Sequence, residues 1–240
     1  MVILTALFVY LVLGEGIIGK RWYNKLQEDI KRNQNARVLF YIRTMSTMWG
    51  LTAIMLVTSY FIDIPFETYG FKLTSIDSIR IHHVENVNIS MLVGAFIGMI
   101  ISVIAIKKSK VFQRHTEKQM SNFSEMLPTN YRESVIWILI CITAGITEEL
   151  LFRSFMMNYL TQLLPWLSTT GVVIVSSIIF GLAHIYQGWK GIVGTMILGF
   201  LFGRLYVTTG SIYPSILLHI IIDLLVLVRL FVLKGKVILK

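Results

Sequence analysis

Glu148 and Glu149 stand side by side in the otherwise apolar run Ile146–Phe155, ITEELLFRSF, and Arg153 follows four residues after the second acid. A charged group at the centre of a membrane helix costs roughly 2.5–3.5 kcal/mol on insertion scales, so such residues usually face a protein interior or a wet cavity. On a helix Glu149 and Arg153 are i,i+4 neighbours and pair, whereas Glu148 points about 100° away with its carboxylate free. One glutamate is held and the other is available for chemistry. Two later apolar segments supply partners: His184 lies in Ser176–Ile185, SSIIFGLAHI, and His219 and Asp223, again four apart, lie in Ser215–Leu224, SILLHIIIDL. The remaining intramembrane charges Glu15, Arg43 and Arg204 are expected to pair with neighbours or to snorkel.

A glutamate, two histidines and an aspartate in a buried pocket support two hydrolytic mechanisms. In one, Glu148 deprotonates a water also held by His184, and His219 donates to the developing oxyanion. In the other, His184, His219 and a carboxylate such as Glu148 bind zinc and a further glutamate acts as base. The helical zinc motif H-E-x-x-H is absent, and neither histidine has an i,i+4 histidine partner to preform a chelate, so the metal-free reading is preferred. No serine or cysteine nucleophile stands out. Ser176, Ser177 and Ser215 lie near the histidines in sequence, but a serine in a membrane helix ordinarily bonds back to its own helix.

The elements that must position these groups are membrane helices. The 240 residues are 55% hydrophobic, against about 45–50% for a soluble domain. Apolar segments of bilayer length (about 20 residues) are Val2–Gly19, Val38–Ile62, Ile89–Ile106, Val135–Leu160, Gly171–Tyr186, Gly191–Val207 and Ile212–Leu233. The expected fold is an all-α polytopic transmembrane bundle of about seven spans, the short fifth and sixth forming either two spans or one re-entrant or tilted pair. Counted along these spans, Glu148, His184 and His219 all fall in the middle of the bilayer. Residues 1–134 are expected to be N-terminal helices and loops, and 135–233 a catalytic core, within one integrated membrane domain.

The net charge of +9 is grouped at the ends of apolar runs, which fits the membrane and excludes a nucleic-acid-binding face. Lys and Arg crowd the connections Lys20–Arg37 and Lys107–Ser134, which are therefore cytoplasmic, while the acidic connection Asp63–Asn88 is external. The N-terminus is then outside and the C-terminus inside. Trp22, Trp137, Trp166 and Trp189 read as an interfacial belt, and the pairs Gly94/Gly98 and Gly199/Gly203 as close helix-packing sites. Met1–Gly19 lacks a basic start and a cleavage pattern and is expected to remain as the first span. Cys141, the single cysteine, excludes an internal disulfide and is lipid-facing or packed in the core. Phe112–Asn130 is polar and reads as a surface helix without an assigned role.

The order Glu148-Glu149-x-x-x-Arg153, Phe180-x-x-x-His184, His219-x-x-x-Asp223 on successive apolar segments resembles the three-motif pattern of the CPBP family. That family comprises the type II CAAX prenyl endopeptidases and the bacteriocin-processing or immunity proteases called Abi proteins. The resemblance covers roughly Ser134–Leu224. It implies an α-helical intramembrane endopeptidase with Glu148 as the water-activating base, His184 as its partner, and His219 with residue 223 at the oxyanion. Glu149 and Arg153 complete the set. Where Asp223 stands, eukaryotic-type members generally carry asparagine, so the aspartate is expected to orient His219 and keep it charged. The family has been described both with and without metal, which leaves the cofactor as none or one divalent zinc. The partners implied are the lipid bilayer and a membrane-associated peptide or protein substrate, in a multi-pass protein of a bacterial plasma membrane. A proton-relay transporter and a non-enzymatic membrane regulator are the rival classes.

Overall fold

In a bilayer every backbone N–H and C=O must be satisfied within the protein, so an apolar run of spanning length folds as a helix. The computed structural model describes residues 1–72 and 87–234, and all regular structure among them is helical. The long elements are α1 (Val2–Asp29), α2 (Ala36–Phe61), α3 (Val87–Lys108), α4 (Lys110–Met120), α5 (Tyr131–Leu163), α6 (Thr169–Ala183), α7 (Gly188–Thr209) and α8 (Tyr213–Lys234). Four helices among the described residues are long and apolar enough to cross a membrane: Val2–Asp29, Tyr131–Leu163, Ile185–Thr209 and Tyr213–Leu233. Thr169–Ala183 is apolar but shorter. Its 15 residues rise about 22 Å at ~1.5 Å each, less than a ~30 Å hydrocarbon core. The chain is an integral membrane protein.

Local sequence sets the helix ends. Asn130 caps α5 by accepting the Glu133 amide at 2.9 Å, and the Glu133 carboxylate reaches back to the Thr129 amide at 2.7 Å, a reciprocal arrangement that satisfies orphan donors. Ser168 caps α6 by accepting the Gly171 amide at 3.2 Å. Gly188 turns the chain into α7 at a φ of 73°, and Gly210 ends it at 63°, conformations that favour glycine.

α5 is the central element, packed between α2 on one side and α8 on the other, while α6 and α7 form the most extensive helix pair. Missing side chains set these approaches. A side chain on Gly145 of α5 would meet the Ile220 backbone nitrogen of α8 at 3.1 Å, and one on Gly199 of α7 would lie 3.3 Å from Ser177 Cα of α6. Gly203 faces Val173 in the same seam. The Gly199/Gly203 pair packs as its spacing predicts, whereas Gly94 and Gly98 face open space within the chain. One buried cluster joins Leu4, Leu7 and Leu11 of α1 to Phe155 and Met156 of α5 and Val173 of α6, so the N-terminal helices share a core with the segment that carries the motifs.

Other expectations are corrected by packing. Lys20–Arg37 is helical as far as Asp29, because Tyr23 and Leu26 turn inward while Lys20, Arg21 and Lys25 stay in solvent. Trp137 is buried against Tyr41, with ring centroids 5.7 Å apart, and is not interfacial; Trp166 and Trp189 are exposed. Cys141 is in the core. The polar Phe112–Asn130 stretch forms α4 and a following 3-10 turn, Ser121–Met126, which Tyr23 grips through the Asn122 carbonyl at 3.0 Å and through Glu125. The Tyr23 phenol holds the Glu125 carboxyl below the usual carboxylate range. Most of the acidic connection Asp63–Asn88, together with Lys236 and Lys240, lies outside the described residues.

Candidate active site

The middle of α5 is wound as a π-helix over Glu149–Met156, with every side chain in it buried. π-turns are rare and gather at functional sites. This one rotates Glu149 and Arg153 behind the helix while Glu148, at its start, faces the interior space between α2, α5, α6 and α8. The Arg153 guanidinium is 1% exposed, with Nη1 3.2 Å from Glu149 Oε1. The contact is an ion pair without hydrogen-bond alignment, since both Nη atoms lack a hydrogen-bond partner. The guanidinium also lies flat over Phe180, 3.9 Å from the ring centroid, with Phe202 at 5.3 Å, cation–π contacts strengthened by the absence of water.

Each histidine is locked through one ring nitrogen. His184 Nδ1 lies 2.8 Å from the Phe180 carbonyl and therefore donates to it, which leaves Nε2 facing Glu148 Oε2 at 3.8 Å. His219 Nδ1 lies 2.7 Å from Glu149 Oε1, and its Nε2 lies 3.9 Å from Glu148 Oε2 and 3.7 Å from Asp223 Oδ2. The hydrogen bond that orients His219 thus comes from Glu149, whereas the sequence reading gave that task to Asp223. Asp223 instead faces the opposite nitrogen. Phe202 stacks on the His219 ring at 4.9 Å.

These side chains divide by what they border. Glu148, His184, His219 and Asp223 line a cavity of about 270 Å³, which holds several water molecules at ~10–15 Å³ each. Glu149 and Arg153 do not line it. The structure therefore brings together all the residues singled out by the motifs, but in two layers. Serine plays no part in the front layer: Ser176 donates to the Phe152 carbonyl at 2.8 Å and Ser215 to the Phe202 carbonyl at 3.0 Å, both across helices, while Ser177 bonds back to Val173 as expected. The sequence reading missed Phe202, whose position in a glycine-rich apolar helix gives no signal. It also passed over Glu15, whose isolation between Gly14 and Gly16 was legible.

Residues 130–225 match the family model of the type II CAAX prenyl endopeptidase Rce1-like proteins. The chain carries an Rce1-like domain. Its chemistry is that of a CAAX-protease-like peptidase, a hydrolase. No curated protein and no solved structure matches the chain. The Rce1-like domain spans α5 to α8 up to residue 225, so Glu148, Glu149, Arg153, His184, His219 and Asp223 all fall inside it, and α1 to α4 lie outside. A membrane-associated peptide substrate follows from a peptidase of this kind embedded in a bilayer.

Proposed function

We propose that the chain is an intramembrane endopeptidase in which Glu148 activates a water for attack on a peptide bond of a membrane-associated peptide or protein. The observation that carries this reading is Glu148 Oε2, a buried carboxylate oxygen without a protein hydrogen-bond partner, equidistant within 0.1 Å from two imidazole Nε2 atoms at 3.8 and 3.9 Å. Such separations match a single water reaching each group at about 2.8 Å. The water gives one hydrogen bond to Glu148 and one to the Nε2 lone pair of His184, whose tautomer is fixed by the Phe180 carbonyl. Glu148 then takes the proton, the oxygen bonds to the substrate carbonyl carbon, and the resulting oxyanion accepts from His219 Nε2–H. That donation needs a proton on both ring nitrogens, which Glu149, Glu148 and Asp223 around the ring favour. On collapse the C–N bond breaks and Glu148 returns its proton to the leaving amine. Glu149 and Arg153 are positioning residues.

Zinc fits these donors poorly. Among the described residues no group of three His, Cys, Asp or Glu side chains converges closely enough to hold a metal ion. Purified protein is therefore expected to keep its peptidase activity in chelator and to contain far less than one zinc per chain. Stoichiometric zinc, with activity lost on chelation and restored by zinc alone, would overturn the metal-free mechanism.

The proposed setting is a bacterial plasma membrane, crossed about seven times with the N-terminus outside, where the substrate is a secreted or membrane-inserted peptide undergoing maturation or being destroyed in immunity. The Lys and Arg of Lys107–Ser134 support this orientation. Single cysteines placed in that segment, in a Cys141→Ser background, should resist labelling from outside; ready labelling there reverses the topology. The activity itself is tested by mass spectrometry of membrane-associated peptides from cells carrying the wild type or Glu148→Gln. Peptides cleaved only with the wild type support the reading, and identical peptide profiles contradict it.

A further inference from the structure

Glu15 belongs to α1, outside the Rce1-like domain, and it follows a second π-turn, Tyr10–Gly14. The carboxylate borders a cavity of about 90 Å³ that shares Glu148 and His184 with the larger one. Its Oε2 is buried without a hydrogen-bond partner, and among the described residues it forms no ion pair. Arg43, the cation nearby in sequence terms on α2, is taken by the face of Trp22 at 4.2 Å. The rest of the wall is aromatic and aliphatic, with Tyr10, Trp22, Tyr186, Leu11, Leu51 and Leu151. Tyr10 can lie across the turn because Gly14 has no side chain: a Cβ there would meet Tyr10 Cδ2 at 2.7 Å. Gly16, next to Glu15, lets this stretch of α1 come against the Leu182 carbonyl at the end of α6, one turn from His184.

A carboxylate at the end of a narrow apolar and aromatic channel is matched by one kind of group. It is a cation on a flexible hydrocarbon stem, whose methylenes cover the leucines while the charged head meets the acid and the ring faces. On the measure by which one water takes ~10–15 Å³, this space accepts about five or six heavy atoms, the length of a lysine side chain. Resting on the endopeptidase reading above, we propose that Glu15 is a specificity residue that receives a lysine side chain of the substrate close to the scissile bond. The closeness follows from Glu148 and His184, which form the common wall of both cavities.

The test walks a single lysine, and in parallel its uncharged isostere norleucine, along an apolar peptide presented to the purified full-length protein in lipid vesicles. Cleavage by the wild type is scored as kcat/KM, and binding to the Glu148→Gln protein as Kd. At one position lysine should exceed norleucine by about tenfold to a hundredfold in both readouts, the range for hydrogen bonds to charged groups. Glu15→Gln should collapse that ratio towards one, and Glu15→Lys should move the preference to a glutamate-containing peptide. Cleavage without lysine preference, or a preference that survives Glu15→Gln, overturns the assignment and leaves the peptidase reading intact. Lysine-dependent binding without any turnover by the wild type has the opposite meaning: it supports the Glu15 subsite and removes the hydrolytic reading.

Discussion

The Glu148→Gln protein accumulates in the membrane at the wild-type level and cleaves its substrate at least ~10³-fold more slowly. Proton transfer by a positioned side chain contributes typically 10²–10⁴-fold, and Glu148 is asked to act twice, as base towards water and as acid towards the leaving amine. Glutamine keeps the shape and one acceptor oxygen but performs neither transfer. Folding is spared because Glu148 forms no hydrogen bond through Oε2, so the change strands no partner and removes a charge from a buried place. His219→Ala loses less, about 10²–10³-fold in kcat, the usual cost of an oxyanion donor. Purified variants assayed side by side by product mass spectrometry provide the check. A Glu148→Gln enzyme within tenfold of wild type, at equal folded concentration, would transfer the base to another residue.

Arg153→Ala, by contrast, fails at the level of the fold. The guanidinium is among the largest fully buried side chains, enclosed by Phe180, Phe202, Gly199 and Glu149. Its removal leaves Glu149, which is 0% exposed, with His219 as its remaining charged contact. Breaking one side of a buried ion pair costs roughly 3–5 kcal/mol, a large part of the stability of an ordinary domain. The expected result is a sharp drop in folded protein by size-exclusion chromatography and a lowered thermal midpoint. Arg153→Lys recovers only part of it, because lysine keeps the charge but cannot lie as a plane between two rings. A normally folded Arg153→Ala protein with selective loss of turnover would instead identify the arginine as a group that touches substrate.

Helix locations were readable from hydropathy because each long apolar run has one solution in lipid. The predicted Val38–Ile62, Val135–Leu160 and Ile212–Leu233 compare with Ala36–Phe61, Tyr131–Leu163 and Tyr213–Lys234. The first span was cut short at Gly19 because its last turns are charged on one face, a pattern that hydropathy averages away. The motif residues were readable through their burial cost, and so was the Glu149–Arg153 pairing. The partner of His219 was not. Spacing on α8 favours Asp223, four residues away, but the ring turns its other nitrogen to α5, and only the packing of α5 on α8 at Gly145 decides that. The inward position of Glu15 was likewise hidden. Composition shows a charge in a span, but whether it meets lipid, a neighbour or a cavity depends on which helix lies opposite.

The π-wound stretch of α5 bears on how such a site can arise. An ordinary helix splays consecutive side chains by about 100°, which sends two neighbouring acids to different surroundings. Lodging one additional residue in the turn changes the register of everything that follows, with no loop and no lost span. The eight residues so wound are all buried, so packing on every side offsets the poorer hydrogen-bond geometry. A single inserted codon is thus enough to convert a plain spanning helix into one that offers one acid to a cavity and presses the next against a histidine. A single deletion in the same place undoes both at once, so this short stretch is where drift in chain length would be least forgiving.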